Sequence, residues 1–292
     1  MSKKKNGSIA VPFLVTIFVG LLIVGGAAFG IYKYFGLGND EELKDPTPRQ
    51  VATSTYEDNH TILMILDDPE IDCPATFVMM RSIPKEKKLL FVGIPTNTIA
   101  LINDKQQSMN GAYTQGGPQA AVDFVQNIFG VTIDRYLKMN GAALIKICDI
   151  LGGVTYPVKA DIIGFKSDGT DQYLNSEQIL KLMTYSLFDD GEIQRAYVAS
   201  SIAADMVNQA DGNRIADRFD DSFNTIANMS DTNITSVDYK NRKVAIKNML
   251  SRGTKIASFL IMDGQKADGD FIPSSGFINN VVDQYFKDGE GK

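Results

Sequence analysis

The longest uninterrupted run of apolar and small residues in the chain covers residues 9–35 and carries no charge before Lys33. A helix of that length can cross a hydrocarbon layer of about 30 Å. Lysines precede the run and acidic residues follow it from Asp40 onward, a bias that predicts a cytoplasmic N-terminus. The pattern therefore predicts a single-pass protein of the cell membrane, with a cytoplasmic tail over 1–8, a transmembrane helix over 9–35 and the rest of the chain outside.

The same run admits a second interpretation, a cleaved signal peptide with its cleavage site near Ala27 and Ala28. The apolar stretch is longer than the core of about 7–15 residues that signal peptides use, so a retained anchor is favoured. Gly26 and Gly30 form a GxxxG pair, which can bring two membrane helices together. A homo-oligomer formed through this helix therefore stays open, beside the simpler explanation that the segment is merely rich in glycine.

After the run, the pattern of apolar positions changes from one long block to many short ones. Residues 36–58 are polar and contain glycine and proline, which predicts an extracytoplasmic linker. Residues 59–288 alternate short apolar runs with longer amphipathic stretches, and a turn at 84–87 joins two early runs in a hairpin. We therefore expect one three-layer α-β-α domain around a mixed central sheet. The predicted strands are 61–66, 75–81, 89–94, 131–139, 154–158 and 258–262, and the predicted helices are 118–129, 142–151, one capped by Asn175, 192–209, 213–228, 237–250 and 277–286.

The charge and the cysteine content of the chain exclude several classes of function. The net charge is −6, and the first 35 residues hold four lysines and no acid, so the domain itself is more acidic still. An acidic domain argues against nucleic acid as a partner, although a few placed donors could still hold a small anionic group. Cys73 and Cys148 make no disulfide framework. His60 is the only histidine, so the sequence offers no zinc-ligand spacing and little basis for a Ser-His-Asp triad.

A series of short motifs runs through the domain in a fixed order. The series is Asp68 after the first strand, Gly-Ile-Pro-Thr-Asn-Thr at 93–98, Met-Asn-Gly-Ala-Tyr at 109–113, Gly-Gly at 116–117, Leu-Gly-Gly-Val at 151–154, Leu-Asn-Ser-Glu-Gln-Ile-Leu at 174–180, and then Tyr185, Asp190 and Arg195. In this order the motifs resemble the LytR-CpsA-Psr (LCP) family of cell-envelope proteins. The resemblance covers about residues 60–210, and the predicted architecture of tail, anchor and outside domain agrees with it.

The resemblance implies a function at the outer face of the cytoplasmic membrane of mainly Gram-positive bacteria. Members of this family move an anionic glycopolymer from a polyprenyl diphosphate carrier to peptidoglycan, and the lipid tail lies in an apolar tunnel between sheet and helices. Arginines clamp the diphosphate and acidic residues hold Mg²⁺, because fixed guanidinium groups and a divalent cation stabilise a phosphoryl group in transfer. The implied partners are therefore the membrane, a polyprenyl-linked glycopolymer and peptidoglycan.

The sequence departs from the family at the positions that carry charge. Ala75 stands where the resemblance implies a magnesium carboxylate, and Thr96 and Asn97 stand where it implies an arginine and an acid. Ser186 and Glu192 stand at two further arginine positions, and Glu192 adds repulsion toward a diphosphate. One electrostatic donor in a transfer site is worth about 3–4 kcal/mol of barrier. Losses at three or more positions therefore predict little or no transfer by the family mechanism, with no cofactor, and with Mg²⁺ only if the site is active.

Some candidates for a site remain, and four of them have a simpler explanation: a solvated helix start for Asp190, a pair with a surface acid for Arg195, a turn for Asn110 and core packing for Tyr113. The candidates are Asp190 and Arg195 for catalysis or phosphate binding, and Asn97, Thr98, Asn110 and Tyr113 for ligand binding. Three functions stay open. The favoured one is a degenerate LCP relative that keeps the fold and possible polyprenyl phosphate binding. The others are an active phosphotransferase with relocated cations such as Arg81 or Lys85, and an anchored protein-interaction scaffold.

Overall fold

The computed structural model describes residues 53–287, apart from positions 69, 72, 253 and 254. The predicted tail over 1–8, the predicted membrane helix over 9–35 and most of the predicted linker over 36–58 lie outside the described residues. Among the helices that are described, none combines the length and the hydrophobicity that a membrane span requires.

Strands in the described part of the chain fall into one central sheet and three small ribbons. They are β1 (His60–Asp67), β2 (Pro74–Ile83), β3 (Lys88–Ile94), β4 (Ile99–Ile102), β5 (Lys105–Ser108), β6 (Arg135–Met139), β7 (Val154–Pro157), β8 (Asp171–Leu174), β9 (Asp231–Thr232), β10 (Ala257–Ile261), β11 (Gly264–Ala267) and β12 (Asp270–Pro273). The central sheet has the order β10-β3-β2-β1-β6-β9. β1 runs antiparallel to β2 and parallel to β6, and β3 runs parallel to β10. The sheet is therefore mixed, which confirms the prediction from the early hairpin.

Helices of the described residues follow the predicted pattern with two corrections. They are α1 (Met109–Phe129), α2 (Gly141–Leu151), α3 (Ser176–Met183), α4 (Glu192–Gln209), α5 (Gly212–Asp217), α6 (Phe219–Met229), α7 (Ser236–Arg252) and α8 (Ser275–Tyr285). The first correction concerns α1: a helical segment capped by Ser108 was not predicted, and the helix predicted from Pro118 follows it across a kink at Gly116 and Gly117, whose backbone angles are not helical. The second concerns the single helix predicted over 213–228, which is wrong because Arg218 separates α5 from α6.

Two of the predicted helix ends are confirmed by their hydrogen bonds. The side chain of Asn175 accepts from the backbone N–H of Gln178, and the side chain of Gln178 accepts from the backbone N–H of Asn175, which completes a capping box at α3. Gly152 ends α2 with a φ of 107°, a left-handed conformation that glycine adopts without strain.

Apolar side chains cover both faces of the sheet, since successive side chains of a strand point to opposite sides. Leu63 and Ile65 lie on the face that packs against α1 and α8, and Leu66 and Val78 lie on the face that packs against α2, α3 and α4. The sheet is thus the middle of three layers, with helices packed on both of its faces.

One glycine lets α4 approach the sheet closely. A Cβ built on Gly93 would lie 2.0 Å from the backbone oxygen of Ala196, so only glycine fits at this position of β3. The close contact fixes the N-terminal turn of α4 beside the end of β3, and this turn carries Glu192 and Arg195.

Candidate functional site

Most of the predicted site residues lie at one edge of the central sheet. β1, β3, β6 and β10 all end at this edge, and β2 begins there. Thr96, Asn97 and Thr98 directly follow β3, and Ala75 is the second residue of β2. The carboxyl ends of strands in an open α/β sheet are where ligands commonly bind, so this edge is the candidate site.

Arg195 is held by an acid from its own helix. Its side chain is 9% exposed. The guanidinium Nε donates to Glu192 Oε2 at 3.1 Å, and Nη2 contacts both oxygens of the same carboxylate. The Thr96 hydroxyl donates to Glu192 Oε2 at 2.5 Å. In this Glu192 cluster (Thr96, Glu192 and Arg195), a two-pronged contact of guanidinium with carboxylate neutralises the arginine locally. The predicted phosphate-binding arginine is therefore paired with the acid that was expected to repel phosphate.

Asn97 and Thr98 connect this edge to the ribbon β11-β12. The Asn97 side-chain amide donates to the Gly269 backbone oxygen at 2.6 Å, and the Phe271 N–H donates to the Asn97 backbone oxygen at 3.0 Å. The Thr98 hydroxyl is fully buried and donates to the Pro95 backbone oxygen at 2.7 Å. Asn97 Oδ1 is buried without a hydrogen-bond partner among the described residues, so it is the atom of this segment that a ligand could satisfy.

Asn110 and Tyr113 enter the same edge from the first turns of α1. The Asn110 N–H donates to the Thr96 backbone oxygen at 3.1 Å, while Asn110 Oδ1 is buried and, within the described part of the chain, has no hydrogen-bond partner. The Tyr113 ring meets the edge of Phe77 at a centroid distance of 6.0 Å. The ammonium of Lys138 lies 5.8 Å from the centre of the Tyr113 ring.

Lys138 and Asp67 form an ion pair at the same edge, and the sequence did not predict them as candidates. Lys138 Nζ lies 3.3 Å from Asp67 Oδ2, and both side chains are about one-quarter to one-third exposed. A hydrogen bond with Tyr113 raises the pKa of Lys138, and the charge of Asp67 adds to this, although burial opposes it. Their charge and their position near the ends of strands could have marked them as candidates. The sequence did not show that β1 and β6 are parallel neighbours.

An apolar cavity of about 310 Å³ lies on the side of the sheet that carries α2 and α4, toward the opposite edge. Its wall includes the first residues of β1 and β3 and side chains of α2, α6 and α7. Ile62, Leu89, Ile147, Phe223 and Ile246 contribute apolar surface. A concave apolar site of this size lies at the lower end of the range that holds small ligands, about 300–1,000 Å³.

The comparisons with known proteins agree with this geometry. Residues 37–270 match the model of the LytR_cpsA_psr family. The chain belongs to this family. The chain is 24% identical over 287 residues to TagU of Bacillus licheniformis, named a polyisoprenyl-teichoic acid–peptidoglycan teichoic acid transferase, and the match covers 92% of each chain.

Solved structures share the fold at lower identity. A protein of Eubacterium siraeum named as a transcription regulator superposes with a TM-score of 0.69 at 21% identity, over 82% of this chain and 96% of its own. TagV of Bacillus subtilis superposes with a TM-score of 0.62 at 19% identity, over 77% of this chain and 94% of its own. The likeness supports a mixed α/β fold around a central mixed sheet, as the sequence predicted.

The magnesium site that the family implies does not fit the residues present. Ala75 is 1% exposed and has no side-chain oxygen, and Asn97 carries an amide in place of a carboxylate. Among the described residues there is no group of three or more His, Cys, Asp or Glu side chains that could hold a metal ion. Magnesium prefers carboxylate oxygens in near-octahedral geometry, so this edge lacks the ligands for it.

The remaining predicted positions lie at the rim of the site. Ser186 is exposed in the segment after α3. The Asp190 carboxylate is 65% exposed and pairs with Lys266 of β11 at 2.7 Å. Asp190 therefore links the ribbon β11-β12 to the turn before α4. Its negative charge is balanced by the positive charge of Lys266.

Proposed function

We propose that this protein is a membrane-anchored cell-envelope member of its family that binds a polyprenyl phosphate lipid and does not catalyse the transfer reaction. The observation that carries the proposal is the Glu192 cluster. Phosphoryl transfer needs fixed positive charge aimed at the equatorial oxygens of the migrating group. Here the buried guanidinium of Arg195 already faces a carboxylate.

The chemistry of the edge supports the absence of transfer. Thr96 is a neutral hydroxyl that donates to Glu192. Each missing electrostatic donor costs about 3–4 kcal/mol of barrier, equivalent to roughly two to three decades in rate. The positive charge is missing at three such positions, Thr96, Ser186 and Glu192. Even if the three losses are not additive, the remaining groups cannot restore a barrier low enough for transfer.

The apolar cavity supports lipid binding. It lies between the sheet and the helices, its wall is almost entirely apolar, and it reaches the outer helices α6 and α7. Burial of prenyl carbons there would remove about 25 cal/mol of unfavourable hydration per Å² of apolar surface. The relatives named as polyisoprenyl-teichoic acid transferases act on a substrate with such a chain, and we propose a lipid of the same class for this chain.

A cavity-blocking variant tests the lipid. We expect the full chain in nanodiscs to melt at a higher temperature when a polyprenyl phosphate is present. Ala227→Phe, at a half-buried position of α6 on the cavity wall, should abolish this shift. Ala142→Phe, at an exposed position of α2, is the matched control and should keep it. An equal shift in both variants, or none in the unaltered chain, would remove lipid binding in this cavity from the proposal.

An active transferase is the second candidate, and Lys138 is the observation that favours it. Lys138 is a half-buried cation at the same edge of the sheet, beside Tyr113 and Asp67. The test is release of inorganic phosphate from a polyprenyl diphosphate in the presence of Mg²⁺. We expect no release above background. Turnover that disappears in Lys138→Ala would reverse the assignment.

A further inference from the structure

A second cavity opens beside the apolar cavity, and its character is different. This cationic recess has a volume of about 350 Å³ and lies between α2, α5 and α6. Lys146, Arg214 and Arg218 give it three positive charges, against the two negative charges of Asp149 and Asp221. The recess therefore has a net positive charge in a protein whose overall charge is negative.

The two cavities share part of their wall. Ile150, Ile215 and Ser222 line both the cationic recess and the apolar cavity. An elongated molecule with one apolar end could therefore lie in the apolar cavity while its polar end reaches the recess. This combination of an apolar chamber and an adjoining charged mouth fits an amphiphile better than a wholly polar or a wholly apolar ligand.

The cations of the recess differ in how firmly they are held. Arg214 Nη2 donates to the backbone oxygens of Ile150 and Leu151, at 3.2 and 3.4 Å, and this fixes the guanidinium at the end of α2. Lys146 and Arg218 are exposed, and neither forms an ion pair with any of the described residues. One placed guanidinium with two adaptable cations is suited to an anion with several oxygens.

The contrast with the Glu192 cluster favours this end of the molecule for a head group. The guanidinium of Arg195 is occupied by Glu192, whereas Lys146 and Arg218 can turn toward a ligand. We propose that the cationic recess binds the phosphate head group of the prenyl lipid whose chain occupies the apolar cavity. The inference rests on the proposed lipid binding and adds to it the position of the head group, on the helical side and not at the carboxyl edge of the sheet.

The test compares a charged with an uncharged lipid of the same chain. The full chain is titrated with farnesyl phosphate and with farnesol in a neutral detergent, and bound fractions are measured by native mass spectrometry. The double variant Lys146→Glu/Arg218→Glu should lose about tenfold or more in affinity for farnesyl phosphate, since it reverses two charges that face the phosphate. Its affinity for farnesol should stay within about twofold, because the apolar wall is unchanged.

A matched control and a salt series separate the possible outcomes. Lys105→Glu, at an exposed position of β5 away from the recess, should leave both affinities unchanged. Raising the salt concentration should weaken farnesyl phosphate binding alone, since screening acts on exposed charges. If farnesyl phosphate keeps its affinity in the double variant, or if both ligands weaken equally, the head-group proposal is wrong while lipid binding stands. If neither ligand binds the unaltered chain, the proposed function is wrong as well.

Discussion

The Glu192 cluster and the apolar cavity lie toward opposite edges of the same sheet, and they differ in how their side chains are satisfied. In the cluster, a buried guanidinium, a carboxylate and a hydroxyl satisfy one another within a single turn of α4 and the end of β3. The cavity is lined by apolar side chains of strands and helices that leave space between them. The polar groups of the Glu192 cluster are therefore already paired with one another, whereas the apolar cavity has surface that a ligand can still cover.

This difference shows why the fold can keep a ligand-binding cavity after it has lost the charges that catalysis requires. A phosphoryl-transfer site depends on charges that are held ready and unpaired until the substrate arrives. An apolar cavity depends only on shape and hydrophobicity, so it can persist where the charges do not. The comparison therefore predicts different responses when the two regions are altered.

The largest expected effect comes from the contact that fixes α4 on the sheet. Gly93→Ala places a Cβ 2.0 Å from the Ala196 backbone oxygen. Overpacking of this kind against backbone should cost about 3 kcal/mol of unfolding free energy. Urea denaturation measures the loss. Gly276→Ala in α8 is the control, because its Cβ would meet its nearest heavy atom only at 3.5 Å. Equal stability of the two variants would show that α4 is free to move away from β3.

The next effect opens the Glu192 cluster. Glu192→Gln removes the carboxylate that faces Arg195 and leaves this buried arginine without a charged partner among the described residues. Loss of a partner from a buried pair costs about 3–5 kcal/mol, and we expect about 2 kcal/mol here because the Glu192 side chain is one-quarter exposed. The freed cation should also bind an anion, so added pyrophosphate should raise the melting temperature of this variant by more than that of the unaltered chain, in which the cationic recess is open to it but Arg195 is not.

A control for this variant is Glu177→Gln, which removes an exposed carboxylate from the first turn of α3. Its melting temperature should respond to pyrophosphate only as much as that of the unaltered chain. A response of the unaltered chain equal to that of Glu192→Gln would mean that Glu192 does not occupy Arg195 in solution. The Glu192 cluster, like the apolar cavity, would then be open to a ligand.

A smaller effect concerns the helix that borders the apolar cavity. Asp238 near the start of α7 accepts from Arg135 Nε at 2.7 Å and from Nη2 at 2.9 Å, and from the Thr235 N–H at 2.9 Å. Burial raises the pKa of Asp238, but the hydrogen bonds from Arg135 and Thr235 lower it more, so the net pKa lies well below its usual range. Asp238→Asn should therefore cost about 1.5 kcal/mol at neutral pH, since it removes charge-assisted hydrogen bonds.

The pH dependence of that loss has a fixed sign. A lowered pKa in the folded state stabilises the fold above the unfolded pKa of about 4, and the stabilisation disappears as the pH falls below it. The difference in urea midpoint between the unaltered chain and Asp238→Asn should therefore be full at pH 7 and shrink from about pH 4 downward. Asp217→Asn, at an exposed carboxylate of α5, should show no such trend.

The elements that the sequence predicted well are those that bury apolar surface. β1 and β3 each contain an uninterrupted apolar run, at 62–66 and 89–92, and the Asn175 capping box marks the start of α3. The ribbon strands were missed for the opposite reason. β5 consists of the polar residues 105–108, and β11 is mostly exposed, so neither has the alternation that marks a half-buried strand. Their pairing is decided by the turns and by tertiary contacts.

The sequence indicated which of the candidate residues lie near one another better than it indicated how they pair. The motifs placed Thr96, Glu192 and Arg195 together, but not the way in which they pair. A spacing of three residues puts Glu192 and Arg195 side by side on a helix, so their attraction could have been expected from the sequence. The pair of Asp67 and Lys138 could not, because it depends on which strands are neighbours.

The smallest effect tests whether this second pair belongs to a site or only to the fold. Tyr113→Phe removes the hydrogen bond with Lys138 and should cost about 1 kcal/mol of unfolding free energy. Lys138 stays protonated at neutral pH with or without this bond, because the bond raises a pKa that is already high. Tyr173→Phe, which removes an exposed hydrogen bond to the Gly152 backbone oxygen, should cost less. A change in phosphate release from polyprenyl diphosphate in Tyr113→Phe, with stability unaffected, would instead place Tyr113 and Lys138 in a working active site and remove the contrast between the two regions.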